Sequence, residues 1–281
     1  DRFEQLSKTH PDIQVISWIM GREKSLEWLN SVGICQDEIL KSLVPSIPPL
    51  ELRQIVAAAE PEIFLWTGYI DSQQIAKIYN QYCSLDNPKI LDFGCGCGRM
   101  TRYLPGAFGC DINPDLVNWC QKNLHDVNTM LNRTKPPLPY EDKTFDIIYS
   151  LSIFSHLPEH LSVLWLQDLL RILKPGGLLI LTTHGIAALK IIRESQIHQD
   201  LFQMNSDDAN SILETIEKES FVFRAYPKNV LEIANVGDEY GNTFISAIYI
   251  KKMWDNDFFH LESFLPGGLR NWQDIVVLKR I

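Results

Sequence analysis

Lys89–Asp111 reads KILDFGCGCGRMTRYLPGAFGCD, and this stretch decides the fold. Lys89–Phe93 is a short β run that carries Asp92 just before its end. Glycine then falls at every second position, Gly94, Gly96 and Gly98, with Cys95 and Cys97 between them. A backbone without Cβ atoms turns tightly and lets a ligand come close. A helix and a second strand, Gly106–Asp111, follow; the strand ends on an acid, placed to accept both hydroxyls of a ribose. Dinucleotide-binding turns space their glycines G-x-G-x-x-G. Here the spacing is G-x-G-x-G.

Downstream, strands and helices alternate. Pro114–Leu124 reads as a helix started by Asn113 or Pro114. Phe145–Ser150 reads as a strand, Glu159–Leu173 as a helix and Leu178–Thr183 as a strand. The third strand is the weak element, because His125–Leu131 is poor in β-formers. Such alternation predicts a parallel sheet covered on both faces. Ile186–Glu239 breaks the pattern with a helical stretch, Ser206–Glu219, and a β-like one, Phe221–Tyr226. The chain resumes with a helix at Ile245–Trp254 and strands at Phe258–Phe264 and Asp274–Arg280, the turn between them marked by Pro266, Gly267 and Gly268. Upstream, residues 1–60 read as helical, with Ile16, Ile19, Met20, Trp28 and Leu29 at helix-like spacing. Glu60–Pro61 reads as a break, FLWTGY (Phe64–Tyr69) as an aromatic segment interrupted by Gly68, and Ser72–Cys83 as a helix with Ile75, Ile78, Tyr79 and Tyr82 on one face.

The chain resembles the class I S-adenosylmethionine-dependent methyltransferases, of the bacterial small-molecule or glycan-modifying type. The resemblance rests on ILDFGCGCG (Ile90–Gly98) with Asp111, on FDIIY (Phe145–Tyr149) with the segment Ser150–Leu157, and on LRILKPGGLLIL (Leu170–Leu181). It implies an α/β fold: a Rossmann-like seven-stranded sheet, mostly parallel with an antiparallel C-terminal edge, flanked by helices, with a helical N-terminal extension and an insertion after strand five. The implied division is an N-terminal cap over residues 1–70 and a methyltransferase domain over 71–281, in which 186–243 is a substrate-shaping insertion. The implied cofactor is S-adenosylmethionine, leaving as S-adenosylhomocysteine. Asp92 and Arg99 would meet its amino-acid end, Gly94, Cys95, Gly96 and Gly98 would cradle it, and Asp111 would take the ribose. Ile112 and Leu138 would border the adenine, with Asn132 a further candidate. Ser150 and Leu151 would lie near it at a strand's carboxyl end.

Composition narrows the acceptor. A net charge of −9 argues against a nucleic-acid substrate. No run approaches the ~18 apolar residues of a membrane span, and Asp1–Gln14 lacks the charged-then-apolar layout of a signal. The expected setting is cytoplasmic. The first residue is Asp1, as in a trimmed chain or one excised from a longer protein. None of the six cysteines forms a C-x-x-C pair, so reduced thiols are expected and no metal site.

Methyl transfer needs a positioned acceptor and, for a hydroxyl, a base. His156 and His184 follow the strands at Phe145–Ser150 and Leu178–Thr183 and are the candidate bases. Each has a competing reading as a packing histidine. Trp66, Tyr69 and Tyr240 are candidate acceptor-lining aromatics, against ordinary packing. The expected activity is methylation of a small-molecule or sugar-containing acceptor, oxygen favoured slightly over nitrogen. The alternatives are a non-catalytic methyltransferase-fold module of a larger assembly and, further off, a nicotinamide-dependent oxidoreductase.

Overall fold

The computed structural model describes residues 46–56, 58, 61–83, 85–104, 106–216, 218, 220–228, 231 and 239–281. The helical reading of Ile16–Leu29 lies outside them. Helices α1 (Leu50–Ile55) and α2 (Pro61–Tyr82) lead into β1 (Ile90–Phe93). Then come β2 (Phe108–Asp111), α3 (Pro114–Asn123), β3 (Asn128–Leu131), β4 (Phe145–Ser150), α4 (Glu159–Ile172) and β5 (Leu173–Thr183). Helices α5 (Ile186–Glu194), α6 (Gln196–Phe202) and α7 (Ser206–Ile216) precede β6 (Phe221–Ala225) and β7 (Gly241–Ile245). The chain closes with α8 (Ala247–Met253), β8 (Phe259–Leu269) and β9 (Gln273–Arg280).

Seven strands form one sheet in the order β3-β2-β1-β4-β5-β9-β8. The first five pair in parallel, and β9 runs antiparallel between β5 and β8. This is the expected Rossmann-like α/β sheet. Successive strand residues point to opposite faces. Leu91, Phe93, Ile148, Leu179, Leu181, Val276 and Leu278 pack with Trp165 and Leu169 of α4. Ile90, Ile147, Tyr149, Leu178, Ile180, Ile275 and Val277 pack with Ile75 and Ile78 of α2. Both faces are buried, which is why these strands read as continuous apolar runs.

Several boundaries move. Pro61 does not break a helix but starts α2, where its fixed φ suits the first turn. Gly68 sits inside α2 because a Cβ there would lie 2.1 Å from the Arg99 carbonyl oxygen. The helix therefore crosses residue 70 without interruption. β8 continues through Pro266, Gly267 and Gly268 with a register shift, and the tight turn is instead Arg270–Asn271, both left-handed with φ of 54° and 58°. The helix expected from Ile245 begins at Ala247, capped by the Ser246 hydroxyl that accepts the Tyr249 N–H. The residues before it form β7, which pairs antiparallel with β6 as a separate hairpin.

β7 is the strand that organises the insertion. Its Thr243 N–H donates to Ser155 O, the Thr243 hydroxyl to Leu157 O, and the Gly241 N–H to His156 O. Phe244 bridges in parallel to His184, just past β5. The ends of β4 and β5 are thus tied to one strand. Leu189, Ile192, Phe202, Met204, Ile212 and Phe244 close a small core beneath it.

Candidate functional site

The turn after β1 has the geometry that its glycines predict. Gly94, Gly96 and Gly98 all have positive φ (88°, 55° and 71°), a region open to glycine at little cost. A Cβ on Gly94 would lie 2.4 Å from Ile153, and one on Gly96 would lie 2.6 Å from Val56, so the loop is closely covered from two sides. The N–H groups of Gly94 and Cys95 donate to Cys110 O, docking the loop on β2. Asp111 completes it: Oδ2 accepts the Gly96 N–H at 2.8 Å and Oδ1 the Asn113 N–H at 2.9 Å. Each carboxylate oxygen keeps capacity for a further donor, as ribose recognition requires. Burial raises the Asp111 pKa, and the backbone donors partly counter it.

Asp92 lies at the end of β1 on the α2 face. Its Oδ2 accepts the Thr101 hydroxyl at 2.6 Å and the Tyr149 hydroxyl at 2.7 Å, and burial pushes its carboxyl up to about 6. Arg99 donates from Nη1 to Thr67 and to Asp71 of α2.

On the adenine side the expectations divide. Ile112 is half-buried beside Asp111. Asn132 is buried at the end of β3, and its Oδ1 has no hydrogen-bond partner among the described residues. An unpaired buried acceptor at this place fits the exocyclic amine of an adenine. Leu138 turns into the core instead; its N–H donates to Asp168 Oδ2 and its carbonyl accepts from Arg171. Cys95 is buried under the loop, close enough to Gly109 that a Cβ there would sit 2.9 Å from its sulfur. Ser150 donates its hydroxyl to Phe93 O, and Leu151 packs on the α2 face, so both serve the strand ends. The glycine loop, Asp111 and the orphaned Asn132 oxygen together fit an adenosyl cofactor.

The two histidines are brought together, their ring centroids 5.8 Å apart and perpendicular. His156 is partly exposed, and its Nδ1 lies 2.9 Å from Gly241 O and 2.9 Å from the Tyr226 hydroxyl. Tyr226 donates its own proton to Asn242 Oδ1, so it offers a lone pair to His156. A carbonyl can only accept. Both neighbours therefore place the proton on Nδ1 and leave the lone pair on Nε2. Burial lowers the His156 pKa, keeping the ring neutral at pH 7. His184 is 1% exposed, under Phe202, Phe244 and Trp272. Its Nε2 accepts from Gln273 at 3.1 Å, and burial together with the His156 ring holds its pKa well below 6.5.

Tyr240 stacks on His156, the ring centroids 5.8 Å apart. Tyr69, on α2, packs edge-on against Tyr103. The Trp66 side chain lies outside the described residues. Tyr226, Asn242 and Gln273 escaped the sequence reading, although Tyr226 closes the β-like run Phe221–Tyr226 on a polar-tipped ring. The cleft formed by Phe108, Gln121, Leu124, Met130 and Tyr140, about 400 Å³, opens at the β3 edge and includes none of these groups.

Residues 91–181 match the methyltransferase domain family. The chloroplastic tocopherol O-methyltransferase of Arabidopsis thaliana is 29% identical over 132 residues, covering 43% of this chain and 35% of the relative. A tRNA N(3)-cytidine methyltransferase of Gallus gallus is 30% identical over 140 residues, covering 42% and 36%. The chain thus spans about a third of the length of these curated relatives. A SAM-dependent methyltransferase structure from Methanosarcina mazei aligns over 73% of this chain and 97% of its own, at 16% identity and a TM-score of 0.48. Residues 91–181, which hold the glycine loop, Asp111 and the strands β1 to β5, thus belong to the methyltransferase domain family.

Proposed function

We propose that the chain moves a methyl group from S-adenosylmethionine to a small-molecule or sugar-containing acceptor, with oxygen favoured over nitrogen. The bound cofactor supplies an activated methyl group on a sulfonium. The chain's own residues hold it, exclude water and manage the acceptor proton. In this reading Gly94, Gly96 and Gly98 let the backbone approach, Asp111 takes the ribose hydroxyls, Ile112 and Asn132 border the adenine, and Asp92 and Arg99 face the amino-acid end. Tyr240 lines the acceptor side.

The observation that carries the oxygen preference is the tautomer of His156. Gly241 O and Tyr226 engage Nδ1, so the free lone pair is on Nε2. An alcohol gives up its proton only to a base, whereas a neutral amine attacks through a lone pair it already has. His184, neutral and enclosed, orients the chamber as a neighbour of His156. The net charge of −9 favours a small acceptor over nucleic acid, as does the tocopherol methyltransferase among the relatives, whereas another relative is a tRNA methyltransferase. A cytoplasmic setting accords with the free thiols Cys83, Cys95, Cys97, Cys110 and Cys120. Among the described residues no helix is long and apolar enough to cross a membrane.

Calorimetric titration with S-adenosylhomocysteine, with NADH as control, tests the cofactor. Micromolar binding of the first alone supports the reading; binding of NADH alone restores the oxidoreductase, and binding of neither moves the non-catalytic module to first place. An acceptor screen by methyl transfer then tests the base. A folded His156→Ala that keeps full turnover removes His156 from that role.

A further inference from the structure

A buried aspartate in the middle of α2 holds two arginines from distant parts of the chain. The Asp71 side chain is 1% exposed; Oδ2 pairs with Arg99 Nη1 at 2.8 Å and Oδ1 with Arg270 Nε at 3.1 Å. Arg99 follows the glycine loop, and Arg270 stands in the tight turn between β8 and β9. One carboxylate thus serves two guanidiniums. Burial lowers the Arg270 pKa, the Asp71 carboxylate counters it and the Arg99 charge adds to it. Asp92 also faces Arg99, but its Oδ2 is already shared by Thr101 and Tyr149.

A structural ion pair with Asp71 needs only Arg99. Bringing in a second guanidinium adds desolvation and like-charge repulsion, and Asp92, the other carboxylate nearby, faces Arg99 rather than Arg270. Yet the turn delivers it through two consecutive left-handed residues. Arg270 meets Asp71 through Nε as an ion pair that falls short of a hydrogen bond, its two Nη groups make no hydrogen bond among the described residues, and the side chain is 42% exposed. A planar fork of donors with excess positive charge matches a carboxylate in shape and in sign.

We propose that Arg99 and Arg270, held by Asp71, form a carboxylate-binding fork at the carboxyl end of the sheet. The inference rests on the methyltransferase reading for its place beside a cofactor site. Two ligands can bring a carboxylate there. One is the amino-acid end of the cofactor, next to Arg99. The other is an acid group on the acceptor, because Trp272 and Gln273, directly after the Arg270 turn, pack on His184.

The test uses the full chain, its Arg270→Gln variant and Arg270→Lys, which keeps the charge and loses the fork. Each is titrated with S-adenosylhomocysteine and with 5′-methylthioadenosine, which shares the adenosine and thioether but lacks the amino-acid end. Separately, acetate is added to 15N-labelled wild type, with and without S-adenosylhomocysteine, while the arginine Nε–H resonances are followed. If the carboxylate is the cofactor's, Arg270→Gln weakens S-adenosylhomocysteine by about tenfold or more and leaves methylthioadenosine within about twofold. If it is the acceptor's, both nucleosides bind unchanged, and acetate shifts the Arg270 resonance in the S-adenosylhomocysteine-loaded protein. Equal weakening of both nucleosides would mark Arg270 as structural and overturn the proposal. So would unchanged binding with no acetate-induced shift. Should wild type bind neither nucleoside, the methyltransferase reading falls, and the acetate titration of the ligand-free protein still decides the fork, which needs no variant to fold.

Discussion

Asp92→Asn should stabilise the protein at neutral pH while weakening its hold on the cofactor. Asp92 is 4% exposed, and burial is the largest influence on it, outweighing the hydroxyls of Thr101 and Tyr149 and the charge of Arg99. Its pKa rises from 3.8 to about 6 on folding. A carboxyl whose pKa is raised in the folded state is favoured there when protonated. Below pH 3.8 it is neutral in both states and folding pays nothing for it. As pH climbs towards 6 the unfolded chain ionises first, and stability is lost until the folded carboxyl has ionised as well. About two pKa units correspond to ~3 kcal/mol at pH 8. Asparagine keeps a neutral oxygen for Thr101 and Tyr149 and removes the buried charge. The difference in unfolding free energy, Asn minus wild type, should therefore grow by ~2.5 kcal/mol between pH 4, where the unfolded carboxyl is already about half ionised, and pH 8. Urea unfolding of both proteins at pH 4, 6 and 8 measures it. A difference that does not vary with pH, or one that favours wild type more at pH 8 than at pH 4, would refute the reasoning. Calorimetry on the same proteins should show weaker S-adenosylhomocysteine binding by the variant.

Asp111→Ala leaves the Gly96 and Asn113 N–H groups without their acceptor and removes the ribose partner. One charge-assisted hydrogen bond is worth about 1.5–3 kcal/mol, so calorimetry should show S-adenosylhomocysteine binding weakened by about tenfold or more; unchanged affinity in a folded variant would remove Asp111 from the site. Tyr226→Phe strips Asn242 Oδ1 of a donor in a buried place, at a cost of about 1–3 kcal/mol by denaturant unfolding. It also releases one of the two contacts that set the His156 tautomer, so the 15N shifts of that ring should move towards a mixed population; an unmoved spectrum would exclude Tyr226 as a positioning residue. In wild type the same spectra should give His156 a titration midpoint below 6.5. Gly68→Ala gains about 1 kcal/mol of helix propensity but drives a Cβ to 2.1 Å from a backbone carbonyl. Thermal unfolding should show a net loss, and a raised melting temperature would mean that α2 and the Arg99 turn separate easily.

The legible features were those whose cause is local. G-x-G-x-G after a β run fixes a positive-φ turn with its own neighbours, and Asp111 closes that turn through Gly96, fifteen positions back. The sheet's inner strands were readable because both faces are apolar. β3 was faint for the opposite reason: it is the sheet's edge, and Met130 and Leu131 are exposed. Pro61 and Gly68 misled because each usually interrupts a helix. Here one sits at the first turn, and the other admits a carbonyl from the cofactor loop, a tertiary demand invisible in local pattern. Pro266, Gly267 and Gly268 misled in the same way, since a long irregular strand absorbs them and two left-handed non-glycine residues make the turn.

The histidines show where this division falls. Each was placed correctly at the carboxyl end of a strand, but its role depends on partners far along the chain. Tyr226 reaches His156 across 70 positions, and Gln273 reaches His184 across 89. β7 supplies the connection, and its sequence, GNTFI, has neither an alternating pattern nor a long apolar run. All five of its residues are buried, and two of them, Gly241 and Thr243, bond to the segment after β4. A strand fastened by polar contacts to two strand ends leaves little hydrophobic periodicity to read. The cofactor side was therefore legible because one turn builds most of it. The surroundings of the two histidines are assembled from the ends of β4, β5 and β8 with an insertion hairpin, so their chemistry is visible only in the folded chain. The tautomer of His156 depends on that assembled hairpin, and the second arginine on Asp71 on the turn between β8 and β9, so neither is written in a local pattern.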